Sequence, residues 1–322
     1  MTALSVLIAQ FLVSTEENMT ATTHPVRFGI QTPQQHGSWP EMVAFWRELD
    51  TLGFDSAWVF DHFLPIFSDP IGPCLEGWTA LSALAMVTHN VRIGVLVTGN
   101  TYRHPAVLAK MATTLDIISQ GRLTLGLGAG WFALEHETFG IPFPPVAERL
   151  QRLDEALTVI GRLWREESVT FQGRYYHLSE ARLNPRPLQH PHPPVLIGAS
   201  GEQVALRIVA HHADMWNSFG SPEVFRHKIA VLTAHCRTIG RDPDTIEKSV
   251  LLQMALTDDA EAKRRAHENV SSGMLVGNPT EIRQQIEQYV AVGVTYFMIS
   301  LPAPYDLTVL RRFATEVMPV FR

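Results

Sequence analysis

The sequence contains little cysteine and little lysine, and it has no run of basic residues. Its two cysteines, Cys74 and Cys236, are too few for a disulfide framework, so a reduced, cytoplasmic protein is expected. The formal net charge is −6, and the 26 lysines and arginines are scattered along the chain. Nucleic-acid-binding domains concentrate such residues on one face. The composition therefore predicts no nucleic-acid partner.

Several catalytic motifs are also absent. There is no G-x-x-x-x-G-K-[ST] loop, no G-x-S-x-G turn, no H-E-x-x-H and no C-x-x-C. These absences disfavour P-loop nucleotide hydrolysis, serine-hydrolase chemistry and the common zinc sites. No lysine stands where a Schiff-base lysine would project from a strand end. The close histidine pairs His190/His192 and His211/His212 lie in a proline-rich loop and near a helix end, so no metal site is predicted.

No hydrophobic run is long enough to cross a membrane, which takes about 20 apolar residues. The apolar segment Leu4–Val13 is short, and it lacks both a preceding basic residue and a following small-residue cleavage site. These features disfavour a signal peptide. Residues 1–24 are expected to be a mobile tail, or to reflect a start codon assigned too far upstream. Residues 25–322 contain no linker and are expected to form one domain.

The rest of the chain alternates short β-like runs with amphipathic helices. Because these helical crossovers are long, neighbouring strands should pair in parallel. Several strands are apolar throughout, as in a sheet covered on both faces. The pattern predicts a single (β/α)8 TIM barrel with eight strands: Val26–Gln31, Ser56–Phe60, Arg92–Val97, Arg122–Leu127, Val195–Gly198, Asp214–Asn217, one strand within Ile246–Leu256, and Thr295–Ser300.

An insertion is predicted after the fourth strand. It begins with an irregular segment, Trp131–Pro145, and continues through a periodic helix to a small hairpin of Ser168–Phe171 and Arg174–Leu178. A doubly wound sheet is the competing architecture, but such a sheet more often carries a glycine fingerprint after its first strand. Here Gln31–Gln34 (QTPQ) follows the first strand and is no phosphate loop.

The active site of a barrel forms at the carboxyl ends of its strands, so residues just past each strand are candidates. The group Gly198–Glu202 (GASGE) opens into a predicted helix. Small residues and a helix N-terminus together suit an anion such as phosphate. The alternative is that Ser200 simply caps the helix.

Two further strand ends are informative. Gly126–Trp131 (GLGAGW) admits a flat ring or a phosphate close to the backbone, and Trp131 is placed to stack on a ring; the alternative is a tight turn that needs positive φ. Asp61 and His62 follow the second strand, and His62 can give or take a proton near neutral pH. A structural histidine is the alternative. The three groups together predict a phosphorylated organic cofactor in the barrel mouth.

These motifs resemble the luciferase-like monooxygenase family, the flavin- and deazaflavin-dependent barrels. The resemblance is carried by Phe60–Phe63 (FDHF), Gly94–Ala106 (GVLVTGNTYRHPA), Gly121–Trp131 (GRLTLGLGAGW) and Pro194–Glu202 (PVLIGASGE). It implies a ring in the barrel mouth, a non-prolyl cis peptide within Val95–Thr98, and a phosphate at Ser200 and Gly201. The implied cofactor contacts are Asp61, Val97, Thr98, Gly99, Asn100, Gly128, Ala129, Gly130, Trp131, Ala199, Ser200, Gly201 and Glu202.

The pattern is most similar to the coenzyme F420-dependent branch of that family. This similarity implies that His62 handles a proton during hydride transfer to or from a small organic substrate, and that Asp61 lies against the cofactor. Sugar-phosphate dehydrogenases of the group carry a glutamate where this chain has Trp131, so the resemblance does not extend to a sugar-phosphate substrate. The resemblance also implies a homodimer.

Two other functions stay open at this point. The first is an FMN-dependent two-component monooxygenase, which incorporates one oxygen atom from O2 and needs a reductase partner to supply reduced FMN. The second is a non-catalytic barrel that stores or senses a flavin. The residues do not distinguish F420 from FMN, because both rings are flat and both carry a ribityl phosphate.

Overall fold

The computed structural model describes residues 24–268 and 273–322. In this part of the chain, eight parallel strands close into a barrel with helices around the outside, so the predicted TIM barrel is confirmed. The tail predicted for residues 1–24 lies outside the described residues except for His24. No helix within the two described ranges is long and apolar enough to cross a membrane.

The strands, numbered in chain order, are β1 (Arg27–Gln31), β2 (Ser56–Val59), β3 (Arg92–Val95), β4 (Thr98–Gly99), β5 (Leu123–Gly128), β6 (Val169–Gln172), β7 (His177–Ala181), β8 (Val195–Gly198), β9 (Met215–Ser218), β10 (Glu247–Leu256), β11 (Met274–Gly277) and β12 (Tyr296–Ser300). The barrel order is β1-β2-β3-β5-β8-β9-β10-β12, and β12 pairs with β1 to close it. All eight contacts are parallel; β10 meets β9 with Glu247 opposite Met215, for example.

The α-helices are α1 (Trp39–Thr51), α2 (Gly77–Leu84), α3 (Pro105–Ile118), α4 (Ala133–Thr138), α5 (Val146–Arg165), α6 (Ala205–His212), α7 (Pro222–Thr238), α8 (Ala260–Glu268), α9 (Pro279–Val290) and α10 (Leu307–Glu316). Short 3-10 turns occupy Pro243–Thr245 and Met318–Phe321. Local sequence explains several starts: Ser38 and Glu41 form a capping box at α1, and Pro105 is the first residue of α3.

The third barrel strand is interrupted, and this break shapes the mouth of the barrel. Pairing with β2 ends at Val95, apart from a hydrogen bond from the Leu96 amide to the Val59 carbonyl at 2.8 Å, and a cis peptide joins Leu96 to Val97, within the predicted range. The chain then resumes as β4, which pairs with β5. Gln31, at the end of β1, donates its side-chain amide to the Leu96 carbonyl at 3.0 Å. The predicted strand Arg92–Val97 therefore ends early, at Val95, and a second short strand begins at Thr98, beyond the predicted end.

Several predicted boundaries are wrong. The segment Trp131–Pro145 is not wholly irregular, because α4 forms within it. The β6–β7 hairpin turns over residues 173–176 rather than at Gln172-Gly173. An unpredicted strand, β11, extends the sheet by pairing with the last residues of β10.

Alternation along the strands divides the core into two layers. Tyr296 and Met298 of β12 point into the barrel, whereas Phe297 and Ile299 pack against the helices. The interior layer is completed by Trp58, Leu196 and Met215 from other strands and by Leu96 from the break after β3. Because these side chains fill the interior, the two ends of the barrel are separated from each other and carry different polar groups.

The amino-terminal end of the barrel is closed by buried polar groups. Arg27 donates its Nε to Glu247 Oε1 at 3.0 Å, pairs with Glu247 Oε2 through Nη2, and lies over the Tyr296 ring at 4.2 Å. The Tyr296 hydroxyl donates to Ser56 Oγ at 2.5 Å, and burial raises the pKa of Tyr296 to about 12. These groups join β1, β2, β10 and β12 and contribute to stability at the face opposite the mouth.

Replacing Glu247 with alanine should lower the free energy of unfolding by about 3 kcal/mol, because the variant leaves the Arg27 guanidinium without its buried partner. Urea denaturation measures this. Glu167→Ala is the matched control, since the Glu167–Arg182 pair is exposed on both sides and should change stability by less than about 0.5 kcal/mol. Equal losses in the two variants would contradict the prediction.

Candidate active site

Three of the predicted strand-end groups meet at the carboxyl-terminal mouth of the barrel. The Asp61 carboxylate accepts a hydrogen bond from the Gly99 amide at 3.2 Å, and the Asn100 amide donates to the Gly128 carbonyl at 2.9 Å. The rings of His62 and Trp131 meet edge to face, with centroids 5.6 Å apart. The ends of β2, β4 and β5 therefore form one continuous surface.

Glu135, a residue of the insertion, forms a hydrogen bond with His62; the sequence analysis did not single it out. His62 Nδ1 lies 2.8 Å from Glu135 Oε1, and Glu135 is fully buried in α4. Glu135 Oε1 also accepts the Tyr102 hydroxyl, and Oε2 accepts the Phe63 amide at 2.8 Å. One carboxylate thus joins the loop after β2, the loop after β4 and the insertion.

The ionisation of Glu135 fixes which nitrogen of His62 carries a proton. Burial alone would raise the pKa of Glu135, but hydrogen bonds from His62, Tyr102 and the Phe63 amide lower it below its ordinary value of 4.5. An ionised carboxylate only accepts hydrogen bonds, so Nδ1 of His62 is the donor. In the neutral imidazole Nε2 is then the basic nitrogen, and it forms no hydrogen bond within the described residues.

Asp61 does not pair with His62, as expected for adjacent residues at a strand end. Its carboxylate forms two hydrogen bonds with Arg103, at 2.6 and 3.0 Å, and Arg103 also donates to Glu76 at 2.7 Å. Burial raises the pKa of Asp61, and Arg103 and the Gly99 amide oppose that rise. Burial alone would lower the pKa of Arg103, but the two carboxylates raise it. Asp61 and Arg103 therefore fix the loop after β4 onto the end of β2.

Glycines at the ends of β5 and β8 make room for Val97, the residue after the cis peptide. A Cβ at Gly128 would lie 2.8 Å from Val97 Cγ2, and one at Gly198 would lie 3.0 Å from the same atom. Gly130 has φ of 79°, so the tight-turn alternative holds for that residue. Val97 thereby links the mouth residues to the end of β8, where Ala199 and Ser200 follow.

Thr98 and Asn100 point to different surroundings. Thr98 Oγ1 accepts a hydrogen bond from the Trp78 indole at 3.0 Å, so its side chain faces α2. Asn100 is buried, and its side-chain amide nitrogen donates a hydrogen bond to the Tyr176 hydroxyl at 3.3 Å. Its side-chain carbonyl oxygen has no partner within the described residues. Buried carbonyl oxygens are rarely left unpaired, so a ligand with a hydrogen-bond donor fits beside Asn100.

The predicted phosphate position lies at an exposed tip after β8. The helix α6 begins only at Ala205, and its N-cap is Val204 without a side-chain hydrogen bond, so the alternative that Ser200 caps the helix is wrong. The backbone N–H groups of Ser200 and Gly201 form no hydrogen bond within the described residues. Ala199 is bonded through its backbone to Asn217 and Trp216.

Three side chains of α7 contact this tip, and one of them, His235, has Nε2 2.8 Å from the Glu202 carbonyl oxygen. Lys228 donates its ammonium group to the Ser200 carbonyl. Glu202 Oε1 lies 3.2 Å from Nε2 of His227, so the Glu202 side chain is directed to α7 rather than to the mouth. A positive charge therefore stands beside the free amides of Ser200 and Gly201.

Within residues 24–268 and 273–322, no three histidine, cysteine, aspartate or glutamate side chains form a cluster that could hold a metal ion. The polar residues that sequence reasoning missed are Glu135, Tyr102 and Arg103. Tyr102 and Arg103 lie inside the quoted motif Gly94–Ala106, and Glu135 stands four residues after Trp131; these positions were the available signals.

The family model described as luciferase-like monooxygenase matches residues 19–273. The chain belongs to the luciferase-like monooxygenase family. The predicted family is thus confirmed, and with it the assignment to an oxidoreductase enzyme.

Several named proteins are similar to this family member. An F420-dependent glucose-6-phosphate dehydrogenase of Microbacterium testaceum is 30% identical over 93% of this chain and 98% of its own length. An F420-dependent hydroxymycolic acid dehydrogenase of Mycobacterium tuberculosis is 30% identical over 85% of this chain and 76% of its own. The structure of an F420-dependent secondary alcohol dehydrogenase with an F420-acetone adduct has a TM-score of 0.83 at 22% identity, covering 93% of this chain and all (100%) of that one; at this identity it supports the fold alone.

Glu135→Gln should reduce stability mainly above the ordinary glutamate pKa of 4.5. Because the folded pKa of Glu135 is lowered, its contribution is fully present above that value and is lost as the pH falls through the folded pKa. The difference in unfolding free energy from wild type should be about 2 kcal/mol near neutral pH and should shrink in acid.

Urea titrations at several pH values measure this difference. Glu137→Gln is the matched control, since Glu137 lies in the same helix and is exposed; it should show no such trend. A Glu135→Gln difference that stays constant with pH would be inconsistent with the ion pair.

Proposed function

We propose that this protein is an F420-dependent oxidoreductase that transfers a hydride between F420 and a small organic substrate, with His62 as the proton donor or acceptor. The geometry that carries the proposal is the Glu135–His62 pair, which holds Nδ1 on the carboxylate and leaves Nε2 of His62 without a hydrogen-bond partner among the described residues. The F420-dependent names of the similar proteins support the cofactor.

The residues present fit a phosphorylated ring cofactor. The buried, unpaired carbonyl of Asn100 would accept a hydrogen bond from it, and the free amides of Ser200 and Gly201 beside Lys228 would hold a phosphate. Val97, packed against Gly128 and Gly198, would support one face of the ring. When bound, F420 supplies or accepts the hydride.

The chain's own residues handle the proton. In the oxidative direction, Nε2 of His62 accepts a proton from the substrate hydroxyl as the hydride leaves the adjoining carbon. The Glu135 carboxylate, bonded to Nδ1, stabilises the imidazolium that results. In the reductive direction the same nitrogen returns the proton to the carbonyl oxygen. Tyr102 and the Phe63 amide hold Glu135 in position.

F420 should bind the purified protein with a dissociation constant below about 100 μM, equivalent to about −5.5 kcal/mol. Asn100→Ala should weaken binding by about fivefold to tenfold, because it removes one buried hydrogen-bond acceptor. Fluorescence titration measures both. Asn90→Ala is the control, since Asn90 is exposed near the start of β3, at the opposite face.

The same titration with FMN and reduced FMN tests the monooxygenase alternative. Tight FMN binding with no measurable F420 binding would reject the proposal and favour the FMN-dependent, reductase-coupled reaction. Cytoplasmic location, the homodimer and a reductase partner stay predictions.

His62→Asn should lower kcat for F420 reduction by secondary alcohols by about a hundredfold or more, while the dissociation constant of F420 changes less than about threefold. The reason is that asparagine cannot exchange a proton near neutral pH. Stopped-flow absorbance of F420 measures the rate. His177→Asn, on the exposed strand β7, should leave the rate unchanged, and undiminished turnover in His62→Asn would remove His62 from the mechanism.

A further inference from the structure

The two loops that frame His62 are acidic and apolar. The loop 61–76 and the first part of the insertion, residues 131–145, contain five acidic residues between them and no lysine or arginine. Several of their large apolar side chains are exposed, notably Phe67 at 89%, Ile71 at 92% and Trp131 at 52%. Solvent-exposed rings of this size beside a reactive group mark a binding surface.

Aromatic side chains connect these two loops directly above His62. Trp131 stacks on Phe67 with ring centroids 5.6 Å apart and planes 17° apart, and Phe139 meets Phe63 at 5.5 Å. The His62 ring itself contacts Trp131 at 5.6 Å and Phe132 at 5.7 Å. A substrate that reaches Nε2 of His62 therefore passes along a hydrocarbon wall, which we call the aromatic wall (Phe63, Phe67, Trp131, Phe132, Phe139).

The cations nearest to this wall are already engaged. Arg103 is bound by both Asp61 and Glu76. Arg149 donates to the carbonyls of Gly130 and Pro144 and lies over the Phe143 ring. A phosphorylated or carboxylated substrate at His62 would meet acidic loops without an available counter-charge, which costs binding energy.

We propose that the substrate is a neutral, apolar alcohol or its ketone, whose hydrocarbon part packs on Trp131 and Phe67. The inference rests on the proposed function and adds the substrate class. In the oxidation, the carbinol C–H bond breaks with transfer of hydride to F420, the O–H proton moves to Nε2 of His62, and the C=O double bond forms. The oxidation therefore requires one base, His62, and one hydride acceptor, F420.

The test uses the F420-loaded protein and a series of 2-alkanols from 2-propanol to 2-octanol. Each methylene placed against the wall should raise kcat/KM by about fourfold, which corresponds to about 0.8 kcal/mol. Trp131→Ala and Phe67→Ala should each flatten this dependence by at least half, and Phe67→Ala, which changes no implied cofactor contact, should leave F420 binding unchanged. Ile239→Ala is the matched control, because Ile239 is an exposed apolar residue at the far end of α7 and should retain the wild-type slope.

Two outcomes overturn the inference. One is a kcat/KM for glucose 6-phosphate that equals or exceeds that for the best alkanol. The other is a chain-length dependence that Trp131→Ala and Phe67→Ala leave intact; if Phe67→Ala also changes the mass measured by sedimentation, the wall is a subunit interface instead. Loss of F420 binding by the wild-type protein would reject the proposed function separately, before any alcohol is added.

Discussion

The hydrogen bond between Glu135 and His62 is the contact on which the mouth of the barrel depends. It joins an insertion to a strand end 73 residues earlier, and it sets the tautomer of the imidazole at the same time. Without this partner, the imidazole ring of a histidine at the end of β2 would have no preferred orientation. With it, one nitrogen is fixed on the carboxylate and the other is presented to the mouth.

A second layer of contacts keeps that arrangement in register. Arg103 fixes the loop after β4 to Asp61 and to Glu76, the N-cap residue of α2. Val97 fills the space left by Gly128 and Gly198, which ties the break in the third strand to the ends of β5 and β8. At the opposite face, the Arg27–Glu247 pair joins strands of the barrel to one another. The candidate site and these stabilising polar contacts therefore lie at separate ends of the barrel.

The barrel and its strand-end candidates could be predicted from the sequence, because parallel β/α alternation leaves a strong local pattern. Asp61, His62, Gly128 and Ser200 were identifiable since they follow strands directly. Glu135 and Arg103 were not, because their roles arise from contacts 73 and 42 residues away along the chain. The strand β11 was missed because it adds to one end of β10 outside the eight-strand repeat, and α4 was missed because its six residues sit among prolines and aromatics.

The insertion carries both Glu135 and Trp131, four positions apart. One segment thus orients His62, the proposed base, and also carries an aromatic ring beside it. Exchange of this segment between homologous enzymes would transfer the orientation of the histidine and the aromatic surface together. New substrate specificities in such a barrel are therefore expected to arise by exchange of the whole segment. Single substitutions at its tip would then adjust the substrate preference while the glutamate is retained.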